Sequence, residues 1–250
     1  LIPQLFEEEG EDTSFIAWTT TPWTLPANCA LVVGKNIDYV KVRTFNQYTY
    51  EPISVILAKN LVDKYFKKEA QDLPFQQYKE GDKLIPWEIA ATFKGQDLLN
   101  LRYEQLLPYV TNEDLQNNAF RVISGDFVTT EDGTGIVHAA ATFGADDFRA
   151  CQENGIPGVF VKDENGKDVP IVDKRGRFVK EITDFAYRFV KEEYYSDEER
   201  LAADFKPTDV LIAIKLKEDN KAFDVKKYEH SYPHCWRTDK PVLYYALDSW

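Results

Sequence analysis

The apolar residues in the first third of the chain alternate mainly with the period of a strand. Residues 14–19 and 37–42 alternate apolar and polar side chains, which predicts two half-buried strands. Residues 34–36, Gly-Lys-Asn, favour a turn between them. Over residues 56–66 apolar pairs recur every four or five positions, which predicts an amphipathic helix that ends before Pro74.

The second half of the chain mixes both periods. Residues 183–193 keep helical spacing, whereas residues 163–167, Asp-Glu-Asn-Gly-Lys, are typical of a hairpin turn. The acidic run at 196–204 predicts a solvated helical surface or an insertion. Residues 210–216 alternate like a strand but follow good helix-capping residues, so their period leaves helix and strand open. The pattern as a whole predicts a mixed α/β fold, residues 1–250 forming a single domain.

Composition changes this picture mainly through charge. The chain has 250 residues, of which 44% are hydrophobic, enough for a sizeable core. Thirty basic and 42 acidic residues give a net charge of -12, which by itself argues against binding nucleic acid. No apolar run approaches the roughly 18 residues of a membrane span, and the start lacks a signal-peptide pattern, so we expect a cytoplasmic protein without membrane contact. The absence of methionine suggests a fragment of a longer protein.

Three cysteines, Cys29, Cys151 and Cys235, are far apart in the sequence and form no Cys-x-x-Cys pair. This spacing favours neither a disulfide framework nor a zinc site, so we expect reduced thiols without a role. The segment 230–235 contains two histidines and a cysteine but has no second ligand cluster, so no metal is predicted. Dinucleotide-binding and serine-hydrolase motifs are also missing.

Residues 19–28, TTTPWTLPAN, form the first segment with chemical potential. They place four hydroxyls, an amide and an indole N–H within ten residues interrupted by two prolines. Prolines stop a regular strand, so we expect a stiff loop whose polar groups converge on one small ligand. A strand end followed by a proline turn is the simpler alternative. The candidate site residues here are Thr19, Thr20, Thr21, Trp23, Thr24 and Asn28.

Residues 133–148, GTGIVHAAATFGADDF, form the second segment. Two glycines permit a tight turn into a strand at 136–139 that carries His138. Asp146 and Asp147 then open a predicted helix that closes at Gly155, where the helix dipole favours their ionisation. One acid is expected to cap the helix and the other to remain available for a cationic amine. A buried structural histidine and two capping acids are the alternative interpretation.

Together the two segments resemble the signature motifs of the connective-peptide editing domain of isoleucyl-tRNA synthetases. Related valyl and leucyl enzymes typically carry Thr-Thr-Arg-Pro, whereas this chain has Thr-Thr-Pro-Trp at 20–23. The resemblance covers the whole chain and implies a distorted β-barrel-like core with surrounding helices. Residues 1–13 and 232–250 resemble the strands that connect such a domain to the synthetase core. Because the ATP-handling signatures of the family are missing, no cofactor is expected here, and ATP and magnesium belong to the parent enzyme.

The resemblance also implies roles for the candidate residues. Thr19, Thr20 and Thr21 would line the reacting centre, and Asp147 would hold the α-ammonium of the substrate. Asn28 and Trp23 would contact the substrate, while Thr24 and His138 would form the wall that excludes isoleucine. A role of His138 as general base is a second possibility, because its ordinary pKa is near 6.5.

The implied substrate is the 3′ end of isoleucine tRNA carrying valine, hydrolysed by a positioned water. The rest of the synthetase chain would be a partner, and the fragment is expected to be monomeric. The alternatives left open are the editing domain of the valyl or leucyl enzyme, a hydrolytically inactive domain that binds the tRNA 3′ end, and a hydrolase of small esters.

Overall fold

A computed structural model of the chain describes residues 13–228 and 231–245. The strands are β1 (Thr13–Phe15), β2 (Ala30–Val33), β3 (Asp38–Phe45), β4 (Pro52–Ala58), β5 (Glu88–Lys94), β6 (Arg121–Ser124), β7 (Ile136–Ala139), β8 (Phe160–Lys162) and β9 (Asp168–Pro170). The α-helices are α1 (Val62–Tyr65), α2 (Glu113–Asn118), α3 (Ala145–Glu153), α4 (Asp197–Arg200) and α5 (Thr208–Glu218). Seven 3₁₀ helices lie in the described residues, at Pro22–Ala27, Lys59–Leu61, Lys68–Ala70, Phe75–Gln77, Gly95–Leu98, Thr183–Phe185 and Glu192–Tyr194.

The strands form one sheet of four strands, one of three, and a two-stranded hairpin. The first sheet has the order β1-β4-β3-β5, in which only the β1–β4 pair is parallel. The second has the order β6-β2-β7, with β2 parallel to β6 and antiparallel to β7. These elements confirm the predicted mixed α/β class. The sheets recorded for the described residues are open, so the barrel-like core stays a prediction.

β2 lies at the centre of the second sheet and is buried on both faces. Its sequence, Ala-Leu-Val-Val, is continuously apolar, as expected for a strand covered on both sides. Ala30 and Val32 pack into the largest core cluster, whereas Leu31 and Val33 pack into a second cluster with Tyr39. Because successive side chains of a strand point to opposite faces, β2 separates the two clusters.

The strand and the hairpin that were predicted next to local turns are confirmed. The strand expected at 37–42 is β3, preceded by the turn at 34–36, and the hairpin expected at 163–167 joins β8 to β9. In that hairpin Asp163 Oδ1 accepts hydrogen bonds from the backbone N–H groups of Asn165 and Lys167. The acidic run contains the single-turn helix α4, which is exposed and begins with a capping box between Ser196 and Glu199.

The helix predicted over residues 56–66 is wrong at residues 56–58, which belong to β4, whereas residues 59–65 are helical. β4 runs to Ala58, a 3₁₀ turn follows, and α1 contributes only four residues. β4 hydrogen-bonds to β1 on one side and to β3 on the other, and its last four residues are completely buried. Pairing on both edges therefore outweighs the helical spacing of the apolar residues.

The helix predicted over residues 183–193 is also wrong. Only the two ends are helical, as the 3₁₀ turns Thr183–Phe185 and Glu192–Tyr194, and between them Tyr187 has a φ of 63°, which interrupts any helix. Phe185 and Val190 are buried on the two sides of this break, and Phe189 pairs with Arg177 as an isolated bridge. Apolar residues at helical spacing are here buried by a folded loop instead.

The remaining expectations were decided by packing. Residues 210–216 belong to α5, where Thr208, Ile212 and Leu216 form a buried stripe four residues apart. The strand expected at 14–19 ends at Phe15, and Trp18 pairs separately with Val137.

The connecting segments are only partly described. Residues 1–12 and 246–250 lie outside the described residues. Residues 232–245 contain a turn and a bridge between His234 and Pro241, and their role as a connection stays a prediction. Among the described residues, no helix is both long and apolar enough to cross a membrane.

The turn into β7 depends on Gly135, which has a φ of 72°. A Cβ atom at this position would lie 2.4 Å from the Cβ of Ala58 in β4. We expect Gly135→Ala to lower the free energy of unfolding by about 3 kcal/mol or more, because backbone strain of about 1–2 kcal/mol and a steric clash add. Gly166→Ala is the matched control, since Gly166 has a φ of 76° but no atom within 4 Å of such a Cβ. Urea unfolding of both variants checks this, and equal losses would contradict the proposed clash.

Candidate functional site

The threonine-rich segment contains a 3₁₀ helix, Pro22–Ala27, which precedes the central strand β2. Pro22 occupies the first position of this helix, where a missing N–H costs nothing. Thr19 to Thr21 precede it and are half-buried, and the backbone N–H of Thr21 donates to Thr19 Oγ1 at 3.0 Å. The predicted stiff loop is therefore present, with its first three hydroxyl residues partly open to solvent.

The buried end of this loop contacts His138 of β7. Thr24 Oγ1 lies 2.8 Å from His138 Nε2, and Asn28 Nδ2 lies 3.1 Å from His138 Nδ1. The register of the sheet places His138 opposite Leu31, three residues after Asn28. The two motifs, which are more than 100 residues apart in the sequence, thus meet through two direct hydrogen bonds.

The neighbours of the ring determine which nitrogen carries the proton. Asn28 Nδ2 also donates to the carbonyl oxygen of Ala30 at 3.0 Å, which fixes the orientation of the amide. Nδ2 must then donate to His138 Nδ1, so the proton of the neutral ring lies on Nε2. Thr24 donates its hydroxyl proton to the carbonyl oxygen of Thr21 at 2.9 Å and is therefore free to accept from Nε2.

Burial lowers the pKa of His138 to about 4, because the charged imidazolium loses its hydration in the folded chain. Both hydrogen-bond partners of the ring are neutral side chains. His138 is therefore uncharged at neutral pH, and its single lone pair is already engaged by Asn28.

Asp147 lies in the first turn of α3 and is half-buried. Its Oδ2 accepts a hydrogen bond from the backbone N–H of Ala140 at 2.9 Å, which ties α3 to the end of β7. The helix cap is Gly144, so neither aspartate has the expected capping role. Burial raises the pKa of Asp147, in the direction opposite to the expected influence of the helix dipole, while the bond to Ala140 acts against the rise.

Trp23 is the buried residue that packs the threonine-rich segment against the core. Its ring packs against Phe143 with the centroids 5.1 Å apart, and its indole N–H has no hydrogen-bond partner among the described residues. Its backbone N–H donates to Asp209 Oδ1 of α5 at 2.8 Å. Burial raises the pKa of Asp209 to about 6, and the nearby Lys191 ammonium opposes this rise.

Two contributors to this site were missed by the sequence interpretation. Tyr103 donates its hydroxyl proton to Asn28 Oδ1 at 2.6 Å, and Asp209 anchors the 3₁₀ helix. Tyr103 lies in neither motif, and Asp209 precedes residues 210–216, where its sequence position indicates only a helix cap. They act across 75 and 186 residues of sequence, and such long-range contacts leave no local signal.

The cysteine interpretation needs correction in one respect. Cys29 and Cys151 are distant in sequence, but both are buried and their sulfur atoms lie 3.6 Å apart. They are free thiols, and the contact between them together with burial raises the pKa of Cys151. Sequence separation was therefore a poor guide to their separation in space.

Other parts of the described structure offer weaker candidates for a functional site than the cluster around His138. Within residues 13–228 and 231–245, no group of three or more histidine, cysteine or acidic side chains is arranged to hold a metal ion. An open depression of 510 Å³ is lined by three basic residues, three aromatic residues and the segment 241–243. It shares no lining residue with the two motifs, so we take the cluster around His138 as the candidate site.

The chain is similar in sequence to isoleucine–tRNA ligases. It is 60% identical to the enzyme of Cytophaga hutchinsonii over 248 residues, which are 96% of this chain and 22% of that protein. It is 47% identical to the enzyme of Bacteroides thetaiotaomicron over 94% of this chain and 23% of that protein. Identity to the Clostridium tetani enzyme is 40%, over 98% of this chain and 19% of that protein. The chain spans about a fifth of the length of the curated relatives that it matches.

Solved structures show a similar fold at low identity. The crystal structure of GlLeuRS-CP1 aligns with 89% of this chain and 87% of its own, with a TM-score of 0.51 and 14% sequence identity. At this identity the likeness concerns the fold alone. No family model matches the chain. The sequence similarity, which covers nearly the whole chain and includes relatives at 60% identity, confirms the resemblance seen in the two motifs: the chain belongs to the isoleucine–tRNA ligase family, as a segment of about a fifth of its members' length.

Proposed function

We propose that this segment is the editing domain of an isoleucyl-tRNA synthetase and hydrolyses valine wrongly esterified to isoleucine tRNA. The observation that carries the proposal is the polar cluster in which a neutral, buried His138 is held against Thr24, next to the half-buried Thr19 to Thr21. The family of the chain supports isoleucine tRNA as the substrate, and the cluster would form the wall of a small polar site.

A second pocket is needed because valine lacks one methylene of isoleucine. A hydrophobic pocket discriminates such a difference by only ~10- to 200-fold, a limit for which isoleucyl-tRNA synthetase is itself the usual illustration. A pocket too small for isoleucine removes the valine that passes the first selection. Its walls must be rigid, because an additional methyl group is excluded only when the wall cannot move.

The chemistry requires little beyond positioning. The bond to be broken is the ester between valine and a ribose hydroxyl of the terminal adenosine, which water attacks without a protein nucleophile. Thr19, Thr20 and Thr21 would orient this water and donate hydrogen bonds to the developing oxyanion. Their partial exposure supports this role, since a reacting group has to reach them from solvent.

Asp147 would hold the α-ammonium group of the aminoacyl ester. Its carboxylate is half-buried and fixed by the N–H of Ala140, two residues after His138. Burial without a cationic partner raises the pKa of Asp147, and an ammonium group at the site would favour the ionised carboxylate. The same pairing would restrict the pocket to aminoacyl esters with a free amine.

Thr24 and His138 would form the wall that meets the additional methyl group of isoleucine, with Asn28 and Trp23 as supporting contacts. The hydrogen bonds favour this role over that of general base. A base needs a free lone pair, but Nδ1 of His138 accepts from Asn28 and Nε2 carries the proton. The pKa of about 4 also leaves the ring a weak base.

The proposed function also includes the 3′ end of the tRNA as a partner, the rest of the synthetase chain, and a barrel-like fold. The acidic chain would receive only the 3′ end of the tRNA, while the rest of the synthetase binds its body. We propose that the domain is monomeric and needs no cofactor, ATP and magnesium acting elsewhere in the parent. A barrel-like arrangement is supported by links between the two sheets: Trp18 bridges Val137, and the N–H of Ala58 donates to the carbonyl oxygen of Thr134 at 2.8 Å.

Asp147→Ala tests the ammonium anchor. We expect hydrolysis of valyl-tRNA(Ile) to fall about 10- to 100-fold, because one charge-assisted contact to the substrate is lost. Asp146→Ala is the matched control: Asp146 is the neighbouring acid, is exposed and pairs only at the surface with Arg149. Deacylation of labelled valyl-tRNA(Ile) measures both, and unchanged turnover in Asp147→Ala would refute the anchor.

His138→Ala tests the wall. We expect the variant to hydrolyse isoleucyl-tRNA(Ile), which the unmodified chain spares, because removing the ring opens space for the additional methyl group. Hydrolysis of valyl-tRNA(Ile) should remain within about tenfold of the original rate. Loss of turnover with both substrates would instead indicate that His138 takes part in the chemistry.

Stability should depend on pH through His138. Its pKa is about 4 in the folded chain and ordinarily 6.5, so between these values the unfolded chain binds more protons and acidification favours unfolding. Keeping His138 neutral adds about 3 kcal/mol to the free energy of unfolding at neutral pH. This stabilisation is complete above pH 6.5 and is lost as the pH falls to 4. His138→Gln lacks this titration and should lose less stability over the same range. Urea unfolding at pH 4 to 7 compares the two, and parallel profiles would contradict a buried neutral ring.

A further inference from the structure

We propose that Tyr103 is a positioning residue for the discriminating wall: together with the carbonyl oxygen of Ala30 it holds the Asn28 amide, which in turn holds His138 against Thr24. The inference rests on the proposed function, because it gives the wall a residue that holds it. Tyr103 belongs to neither motif and contacts His138 only through Asn28.

Tyr103 is itself held firmly. Its backbone N–H donates to the carbonyl oxygen of Phe120 at 2.9 Å, and the N–H of Phe120 donates to that of Cys29 at 2.8 Å. The Tyr103 ring also packs edge-on against Phe120, with the centroids 6.1 Å apart. The hydroxyl is therefore fixed relative to Asn28, which precedes Cys29 in the chain.

Asn28 uses all its hydrogen-bonding groups in one orientation. Its two amide hydrogens go to the carbonyl oxygen of Ala30 and to His138 Nδ1, and its Oδ1 accepts from the Tyr103 hydroxyl. Burial raises the pKa of Tyr103 well above its ordinary value, so the hydroxyl keeps its proton. Tyr103 and Ala30 therefore hold the amide from its two ends.

The direction of the chain of bonds follows from this orientation. Asn28 donates to Nδ1, so Nε2 carries the proton and donates to Thr24, which in turn donates to the carbonyl oxygen of Thr21. A turned amide would place its oxygen against Nδ1 and move the ring proton there. Nε2 would then require a proton from Thr24, and the bond from Thr24 to Thr21 would be lost.

Tyr103 thus connects the wall to the reacting centre. Any movement of the amide moves the ring, and through Thr24 it disturbs the bond to Thr21, one of the three threonines that would position the water. Both changes loosen the wall where it must reject one methyl group. Removal of the Tyr103 hydroxyl leaves Asn28 Oδ1 without this donor, so that the amide is held on the other side only by its bond to Ala30.

Tyr103→Phe tests the proposal, with Tyr109→Phe as a matched control. Tyr109 also donates its hydroxyl proton, to Asp184 Oδ2 at 2.7 Å, and its ring packs edge-on against Phe185 at 6.2 Å. It contacts neither motif in these bonds. Each substitution removes one tyrosine hydroxyl that donates a single hydrogen bond, Tyr103 to a part-buried amide and Tyr109 to an exposed carboxylate.

The first measurement is the ¹⁵N NMR spectrum of the histidine ring nitrogens. The chain has three histidines, and His138→Gln identifies the signals of His138. We expect a bare Nδ1 and a protonated Nε2 in the original chain and in Tyr109→Phe. In Tyr103→Phe the His138 signals should shift or broaden, because the Asn28 amide that faces Nδ1 is no longer held at its oxygen. Identical His138 signals in all three proteins would overturn the proposal.

The second measurement is the ratio of kcat/KM for isoleucyl-tRNA(Ile) to that for valyl-tRNA(Ile). We expect Tyr103→Phe to raise this ratio about tenfold through misplacement of the wall, while Tyr109→Phe leaves it unchanged. If the original chain does not hydrolyse valyl-tRNA(Ile), the proposed function fails, and the NMR comparison still decides the role of Tyr103.

Asn28→Asp covers the case in which Tyr103→Phe does not fold. A carboxylate cannot donate, so His138 must carry its proton on Nδ1 in this variant. We expect the ¹⁵N spectrum to show that reversed form. A bare Nδ1 in Asn28→Asp would overturn the chain of bonds on which the role of Tyr103 depends.

Discussion

The neutral imidazole of His138 is buried, and it needs one hydrogen-bond donor and one acceptor in fixed places. Asn28 supplies the donor and Thr24 the acceptor, both from the same ten-residue segment. An unsatisfied ring nitrogen in this setting would cost about 1–3 kcal/mol, so the loop cannot move without destabilising the ring. The conformation of the threonine-rich segment, the protonation of His138 and the position of Thr21 are consequences of this requirement.

The scaffold meets the requirement by attaching both partners to its most buried strand. β2 begins two residues after Asn28 and pairs with β7, which carries His138. Both faces of β2 are covered by separate apolar clusters, so the site rests on the least deformable part of the sheet. At the other end of the loop, Asp209 of α5 binds the backbone N–H of Trp23. An irregular segment, which alone would be mobile, is thereby held at both ends.

Family and fold contribute different kinds of information about function. Similarity at 60% identity places the chain in the isoleucine–tRNA ligase family as a segment of about a fifth of the relatives' length, whereas a TM-score of 0.51 at 14% identity establishes a shared arrangement of the backbone only. Editing, and the choice of valine, have to be argued from the chemistry of the pocket. The half-buried threonines, the tethered carboxylate of Asp147 and the locked ring together support that argument. The acidic net charge is compatible with the proposed site, which would receive only one flexible end of a nucleic acid.

The sequence by itself determined the two motifs, the mixed α/β class, the hairpin at 163–167 and the helix that begins at Ala145, because each depends on residues that are close in the chain. It was wrong where apolar residues at helical spacing were buried by other means: β4 is paired on both edges, and Tyr187 breaks the segment at 183–193. Only the tertiary structure brought Tyr103 to Asn28, Asp209 to Trp23 and Cys29 to Cys151. Which nitrogen of His138 carries the proton also depends on such contacts. Local patterns record backbone preference and the burial of one face, whereas hydrogen-bond direction and pKa depend on neighbours that the chain brings together only when it is folded.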